Sequence, residues 1–128
     1  MDDGMDSFDK LLYLNRELFK LIENSISIDL LARLYSSQLV TRGERHLLDN
    51  NRLYYRLLRK IVSEGQQRGE LATDTAGGDI VKAYALCERA LLYDWCLCNG
   101  DYSLVQYSTA MLPKFLSCYR STAACEFR

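Results

Sequence analysis

The sequence predicts an all-α protein, and three observations support this class. The 128 residues include 22 leucines but one proline and 7 glycines, so few residues interrupt a helix. Apolar residues recur every three or four positions, the spacing that places them on one helix face. The length fits one hydrophobic core, since such cores come at about 100 to 150 residues. We therefore predict about five helices in one antiparallel bundle, with residues 1–128 as a single domain.

The first two helices are predicted from their caps and apolar stripes. The first runs from about Ser7 to Glu23, with Asp6 or Ser7 as a cap whose side-chain oxygen can accept from free backbone N–H groups. The pattern restarts after Ser27, a second possible cap, and ends near Val40. Both helices are amphipathic, so each should pack one face on a core.

The third helix follows a charged loop over residues 41–48. It begins at Asp49 or Asn50 and runs to about Arg68, where Gly69 fits the position just beyond a carboxyl end. Its outer face carries Arg52, Arg56 and Arg59. We interpret these arginines as a solvent-facing side of the helix, with contact to a phosphate group as the alternative. A link rich in small and acidic residues follows over residues 70–79, and we expect it to be unstructured. The next helix should begin after it.

The last two helices differ from the first three because each has two apolar faces. The fourth should run from Asp79, its cap, to about Asn99, and the fifth from Tyr102 to about Arg120, with Lys114 as almost its only charge. A helix that is apolar nearly all round must be covered all round, and three amphipathic helices cannot do this. We predict a second copy as the cover, in a four-helix bundle across a twofold axis. The predicted dimer contacts are Leu92, Cys96, Leu104, Met111, Leu112, Phe115 and Tyr119.

Tyrosines on inward stripes indicate a ligand cavity. An amphipathic ring can line a cavity and direct its hydroxyl at a ligand. The alternative is that these rings are core residues whose hydroxyls reach the surface or a backbone carbonyl. The residues predicted to bind a small apolar or aromatic effector are Leu31, Tyr35, Tyr54, Leu58, Ile61, Tyr84, Cys87 and Leu91. Trp95, just before the turn at residues 99–100, should be buried and should join the last two helices.

Charge and hydropathy exclude several classes of protein. A net charge of -1 provides no overall field for nucleic acid. The most apolar stretch, Leu104 to Tyr119, is too short to span a bilayer. The acidic amino-terminal segment does not resemble a secretory signal, so we expect a cytoplasmic protein. We also expect an ordered core over residues 6–121, with mobile ends at 1–5 and 122–128.

The sequence gives little support for a catalytic site or a metal site. The five cysteines include no CxxC pair and are predicted to be reduced, mostly as core filler, with redox regulation as the rival. Cys96 and Cys98 point apart on a helix, which argues against one shared metal ion. His46 lies in the charged loop, and Gly77–Gly78 lacks the lysine of a phosphate loop. We predict no enzyme, no metal and no cofactor.

Two segments resemble the carboxyl-terminal regulatory domain of the TetR family of transcriptional regulators. They are GQQRGEL, residues 65–71, at the end of a helix, and LLYDWCLCNGDYSL, residues 91–104, at the end of a long helix. The match extends over roughly Phe8 to Tyr119, although Phe8 to Asn50 aligns by helix pattern only. The resemblance implies a ligand-sensing, dimerising helical domain whose last two helices form the dimer bundle.

The chain departs from this family at its amino end. Family members begin with a helix-turn-helix head of about fifty residues, and no such turn or basic recognition helix precedes Phe8. We therefore expect no direct nucleic-acid binding by this segment. The sequence leaves two hypotheses: the small-molecule-sensing and dimerisation domain of a TetR-like regulator, or a headless homologue that acts as a protein-interaction partner or co-activator.

Overall fold

The computed structural model describes residues 4–33 and 52–121, apart from the side chain of residue 52. The described helices are α1 (Ser7–Ser25), α2 (Arg52–Gln67), α3 (Gly77–Leu97) and α4 (Leu104–Leu116), followed by a 3₁₀ turn, Ser117–Tyr119. Residues 28–33 are also helical. The predicted all-α class is confirmed. Several sequence predictions lie outside the described residues, namely those on Tyr35, Val40, the loop 41–48 with His46, Asp49, Asn50 and Cys125.

Helix α1 begins at a side-chain cap, as predicted. The Asp6 carboxylate accepts a hydrogen bond from the Phe8 N–H at 2.7 Å, and Asp9 adds negative charge to the first turn, where the helix dipole favours it. The helix continues to Ser25, two residues beyond its predicted end. The predicted second cap is also present, because Ser27 Oγ accepts from the Leu30 N–H at 3.1 Å.

The link between α2 and α3 is held by hydrogen bonds, which corrects its prediction as an unstructured segment. Gly69 has the positive φ of a residue just beyond a helix end, +75°, as its position in the sequence predicted. The Gln66 side-chain amide donates to the carbonyls of Ala72, at 2.9 Å, and Thr75, at 2.8 Å. The Ala72 N–H donates to the Tyr119 carbonyl at 2.8 Å, so the link is also tied to the end of α4.

Helices α3 and α4 begin at positions other than those predicted. Helix α3 begins at Gly77, with no side-chain cap from Ala76, so Asp79 lies in its first turn and is not the cap. Helix α4 begins at Leu104, after Ser103. Ser103 Oγ accepts from the Gln106 N–H at 3.3 Å, which corrects the predicted start at Tyr102.

The carboxyl end of α4 is also shorter than predicted. Its α-helical hydrogen bonding stops at Leu116, one turn short of Arg120, and the tighter 3₁₀ turn follows. Pro113 lies inside the helix, where its nitrogen cannot donate to the carbonyl of the preceding turn.

The four helices form a closed four-helix arrangement. Helix α1 contacts α2 and α4, and α3 contacts the same two helices from the opposite side. One apolar core lies between them, with buried side chains from all four helices. Among residues 4–33 and 52–121, no helix has the length and apolar content needed to cross a membrane.

Candidate functional site

A buried polar cluster lies between α1, α2 and α3. Glu88 of α3 is 6% exposed and Asn15 of α1 is 1% exposed, although both side chains are strongly polar. Tyr84 of α3 is fully buried, and Tyr54 of α2 is half-buried beside it. Buried polar groups of this kind are stable only when they are hydrogen-bonded to one another or to the backbone.

The cluster forms a continuous chain of oxygen atoms. The Tyr54 hydroxyl lies 3.0 Å from Glu88 Oε2 and 2.8 Å from the Tyr84 hydroxyl. The Tyr84 hydroxyl lies 3.1 Å from the Leu11 carbonyl oxygen. Asn15 Nδ2 donates separately to Glu88 Oε2 at 2.9 Å. Side chains from three helices therefore meet at one carboxyl group.

Counting protons indicates which form of Glu88 this chain favours. Three oxygen-to-oxygen contacts join Leu11, Tyr84, Tyr54 and Glu88. If Glu88 is ionised, the two tyrosine hydroxyls supply protons for only two of the contacts. With Tyr54 donating to Glu88 Oε2 and Tyr84 donating to the Leu11 carbonyl, both hydroxyl protons are used, and the 2.8 Å contact between the two tyrosine oxygens has none. A protonated carboxyl would supply the missing proton by reversing the bond between Tyr54 and Glu88. The geometry therefore favours neutral Glu88.

Burial also favours the protonated form of Glu88. It raises the pKa of Glu88 from 4.5 to about 7, despite the opposing effects of the hydrogen bonds from Asn15 and from the two tyrosine hydroxyls. Burial, followed by the nearby Glu88 charge, also raises the pKa of Tyr54 and Tyr84, so both hydroxyls keep their protons. Near neutral pH, Glu88 is the group in this cluster that can gain or lose a proton.

The residues predicted to bind an effector lie mostly in the core. Leu31, Leu58, Ile61, Tyr84 and Leu91 are buried. Tyr54 and Cys87 are half-buried. The two tyrosine hydroxyls bond within the protein, and Tyr84 reaches a backbone carbonyl, as the alternative interpretation expected. Their role in ligand binding stays a prediction.

Sequence reasoning missed the two residues at the centre of this cluster. Glu88 lies four residues after Tyr84 on the apolar stripe of α3, and Asn15 lies four residues after Leu11 on that of α1. A polar residue at an apolar position of the helical repeat was the available signal. Such a position predicts a buried polar group, but it does not identify the partner on another helix.

A pocket of about 340 Å³ lies between α1 and α4. Its volume falls in the range of small-molecule sites, roughly 300 to 1,000 Å³. The residues that line it are Met5, Asp9, Leu12, Tyr13, Asn15, Arg16, Ser108, Thr109, Leu112 and Pro113. Asn15 also belongs to the buried cluster, whereas none of the predicted effector-binding residues in the described part of the chain lines this pocket.

Large apolar side chains are exposed on both α3 and α4. On α3 the exposed residues recur at i, i+4, i+7 and i+11, which places them on one face: Leu86, Ala90, Tyr93 and Leu97. On α4 the large exposed apolar side chains are Tyr107 and Phe115. The Tyr102 and Tyr107 rings lie 5.2 Å apart, and the Tyr102 hydroxyl donates to Asp94 of α3 at 2.8 Å. These contacts join the adjoining edges of the two helices, and we name the whole surface the α3–α4 face.

The predicted dimer contacts divide by burial. Leu92, Leu104 and Leu112 are buried within this chain, at 7%, 0% and 1% exposure, so they offer almost no surface to a second copy. Phe115 is 44% exposed. The predicted residues that are half-buried are Cys96, Met111 and Tyr119. The prediction of a dimer thus depends on the outer residues of α3 and α4.

Trp95 has the predicted role at the junction of α3 and α4. Its ring is 4% exposed, and Nε1 donates to the Tyr102 carbonyl at 3.0 Å, across the turn between the helices.

The cysteines divide into two groups. Cys87 and Cys96 are half-buried, and burial raises the pKa of both thiols. Cys98 and Cys118 are exposed, so their prediction as core filler was wrong.

No group of three or more potential metal ligands converges within residues 4–33 and 52–121.

A scan of protein-family models and searches of curated proteins and solved structures gave no match to this chain. The resemblance to TetR regulatory domains therefore depends on the two sequence segments alone.

Proposed function

We propose that this chain is the small-molecule-sensing and dimerisation domain of a TetR-like transcriptional regulator, and that it dimerises through the α3–α4 face. The observation that carries the proposal is the pair of exposed apolar stripes on two neighbouring helices. Exposed apolar patches of this size mark interaction surfaces in many proteins. The pocket between α1 and α4 supports the sensing half of the proposal.

The area of the face fits a protein interface. Five large apolar side chains on it are each about half exposed, from 44% to 63%. Since a large side chain covers about 200 Å², they offer roughly 500 Å² of apolar surface. A standard interface buries about 800 Å² per partner. The α3–α4 face supplies more than half of that area before its polar edges are counted.

The pattern on α3 is self-complementary, which favours a second copy as the occupant. In an antiparallel pair about a twofold axis midway between Leu86 and Ala90, each leucine faces the small alanine of the other copy. The same axis brings Lys82 close to Tyr93 of the second copy, because both residues lie on the same edge of the stripe. A lysine against an aromatic ring is a favourable contact. Leu86 therefore meets a small residue, and the cation meets a ring.

Light scattering on two matched variants tests the proposal. Leu86→Glu places a charge within the α3–α4 face at a leucine that is 51% exposed, and Leu21→Glu places the same charge at a leucine of α1 that is 61% exposed. We expect the wild type and Leu21→Glu to have twice the chain mass of 14.8 kDa and Leu86→Glu to have the mass of one chain. Circular dichroism should show equal helicity for all three. A single-chain mass for the wild type, or a dimer of Leu86→Glu, would contradict the proposal.

A further inference from the structure

The buried polar groups that line the pocket between α1 and α4 are already hydrogen-bonded within the protein. Asn15 Nδ2 donates to Glu88 Oε2 at 2.9 Å, and Ser108 Oγ donates to the Val105 carbonyl at 3.3 Å. Within residues 4–33 and 52–121, no buried side-chain nitrogen or oxygen lacks a hydrogen-bond partner. Polar selectivity for a ligand must therefore come from the exposed side chains of the lining.

The long axis of the pocket follows the two helices that form it. The lining residues extend over about two turns of α1 and more than one turn of α4. Helices α1 and α4 run in opposite directions, because the Glu23 carboxylate near the end of α1 accepts from the Val105 N–H at the start of α4, at 2.9 Å. The pocket is therefore a slot between two antiparallel helices.

Two opposite charges lie along this slot. Asp9 and Arg16 both line the pocket and are exposed, and they lie seven residues apart on the same face of α1, which is about 10 Å along the helix. Within residues 4–33 and 52–121, neither side chain has an ion-pair partner. The Arg16 guanidinium lies 5.6 Å from the centroid of the Tyr13 ring, which also lines the pocket. The slot thus presents an unpaired anion and an unpaired cation, separated along its length.

The lining between the two charges is mainly apolar. Leu12 and Tyr13 of α1 lie on one side, and Leu112 and Pro113 of α4 lie on the other. At physiological ionic strength a charge is largely screened beyond about 8 Å, so each end of a ligand would interact mainly with the nearer charged side chain. A ligand with a cation at one end, an anion at the other and apolar groups between them matches the whole lining.

We propose that this pocket binds a short apolar zwitterion about as long as a tripeptide, with its ammonium group at Asp9 and its carboxylate at Arg16. Three residues of extended chain span about 10 Å, the separation of the two charged residues along α1. The Arg16 guanidinium can bind a carboxylate through two parallel hydrogen bonds. The inference rests on the sensing half of the proposed function, for which it names the site and the ligand class.

Three forms of one peptide test the two charges. Leucyl-alanyl-leucine carries both charges, its N-acetyl derivative lacks the ammonium group, and its carboxyl-terminal amide lacks the carboxylate. In isothermal titration calorimetry, we expect the free peptide to bind about fivefold more tightly than either derivative, the upper range for an ion pair near a protein surface. Equal affinities for the three peptides, or no binding of the free peptide at millimolar concentration, would overturn the proposal.

Two charge-removing variants of α1 assign the ends of the peptide. Asp9→Asn should bind the free and N-acetyl peptides equally, and Arg16→Gln should bind the free peptide and its amide equally. The control is Glu17→Gln, which removes an exposed charge of the same helix outside the pocket lining and should keep both wild-type preferences. If Asp9→Asn or Arg16→Gln keeps the preference that it should lose, the assignment is wrong.

Two tryptophan variants of α4 locate the peptide. Thr109→Trp places a large ring into the pocket lining, and Gln106→Trp places the same ring on an exposed position outside it. The free peptide should lose its affinity for Thr109→Trp and keep it for Gln106→Trp, and peptide binding unaffected by Thr109→Trp would refute the site. The wild-type mass from light scattering is read independently, so a dimer that binds no peptide would refute this inference and leave the dimerisation proposal standing.

Discussion

Replacing Glu88 with glutamine should remove a pH dependence of stability that the wild-type protein shows. In the folded protein, burial raises the pKa of Glu88 to about 7, whereas the unfolded chain has the ordinary value of 4.5. Between these values the folded state holds a proton that the unfolded state has released. Protonation of Glu88 therefore stabilises the fold fully below about pH 4.5, and this stabilisation is lost as the pH rises through about 7.

The size of the effect follows from the two pKa values. At about 1.4 kcal/mol per pH unit, the interval from 4.5 to about 7 corresponds to about 3 kcal/mol. Glu88 is almost fully buried, so solvent does not screen this effect strongly. The amide of Glu88→Gln cannot ionise, so its contribution to stability does not change between pH 5 and pH 8. The variant should therefore gain about 2 to 3 kcal/mol relative to wild type between pH 5 and pH 8.

Urea denaturation at pH 5 and pH 8 measures this gain. The control is Glu17→Gln, which removes a carboxylate from an exposed position of α1. Its stability relative to wild type should be nearly the same at both pH values, because surface ion pairs contribute little. If the curves of Glu88→Gln and wild type stay parallel from pH 5 to pH 8, the proton count for the buried cluster is wrong.

Two further substitutions test the packing. Trp95→Ala should lower the free energy of unfolding by about 3 to 5 kcal/mol, because it removes a buried ring and its hydrogen bond, and an unchanged urea midpoint would contradict this. Gly65→Ala should cost about 1 to 3 kcal/mol, because the added Cβ would lie 2.7 Å from Leu71 Cδ1 and from Ser7 Cβ. Gly78→Ala is its control, because a Cβ added at Gly78 has no neighbour within 4 Å and alanine favours a helix. Thermal melts in which both variants lose stability equally would refute the packing argument for Gly65.

The sequence predicted those features that depend on neighbours along the chain. The caps at Asp6 and Ser27 and the positive φ of Gly69 require only local backbone geometry, and all three are present. The start of α3 was misplaced because Asp79 is a good cap by residue type. In the structure the chain turns earlier, where the Gln66 side chain holds the preceding link.

The buried cluster and the pocket could not be predicted in the same way. Asn15 and Glu88 are 73 residues apart in sequence, and Tyr54 is 34 residues before Glu88. Helical periodicity identifies the face on which a residue lies, but it does not identify the residue that it meets on another helix. Burial of Tyr84 was predicted correctly from its stripe, whereas its hydrogen bond to the Leu11 carbonyl depends on how α1 packs against α3.

The central claim is that the chain associates through the α3–α4 face. Its most direct test is sedimentation equilibrium of the unmodified protein over a range of micromolar concentrations. We expect a single species of twice the 14.8 kDa chain mass, with dissociation only at the lowest concentrations. A mass of one chain at every concentration would contradict it, because the exposed leucines and aromatic rings of α3 and α4 would then have no second copy to cover them.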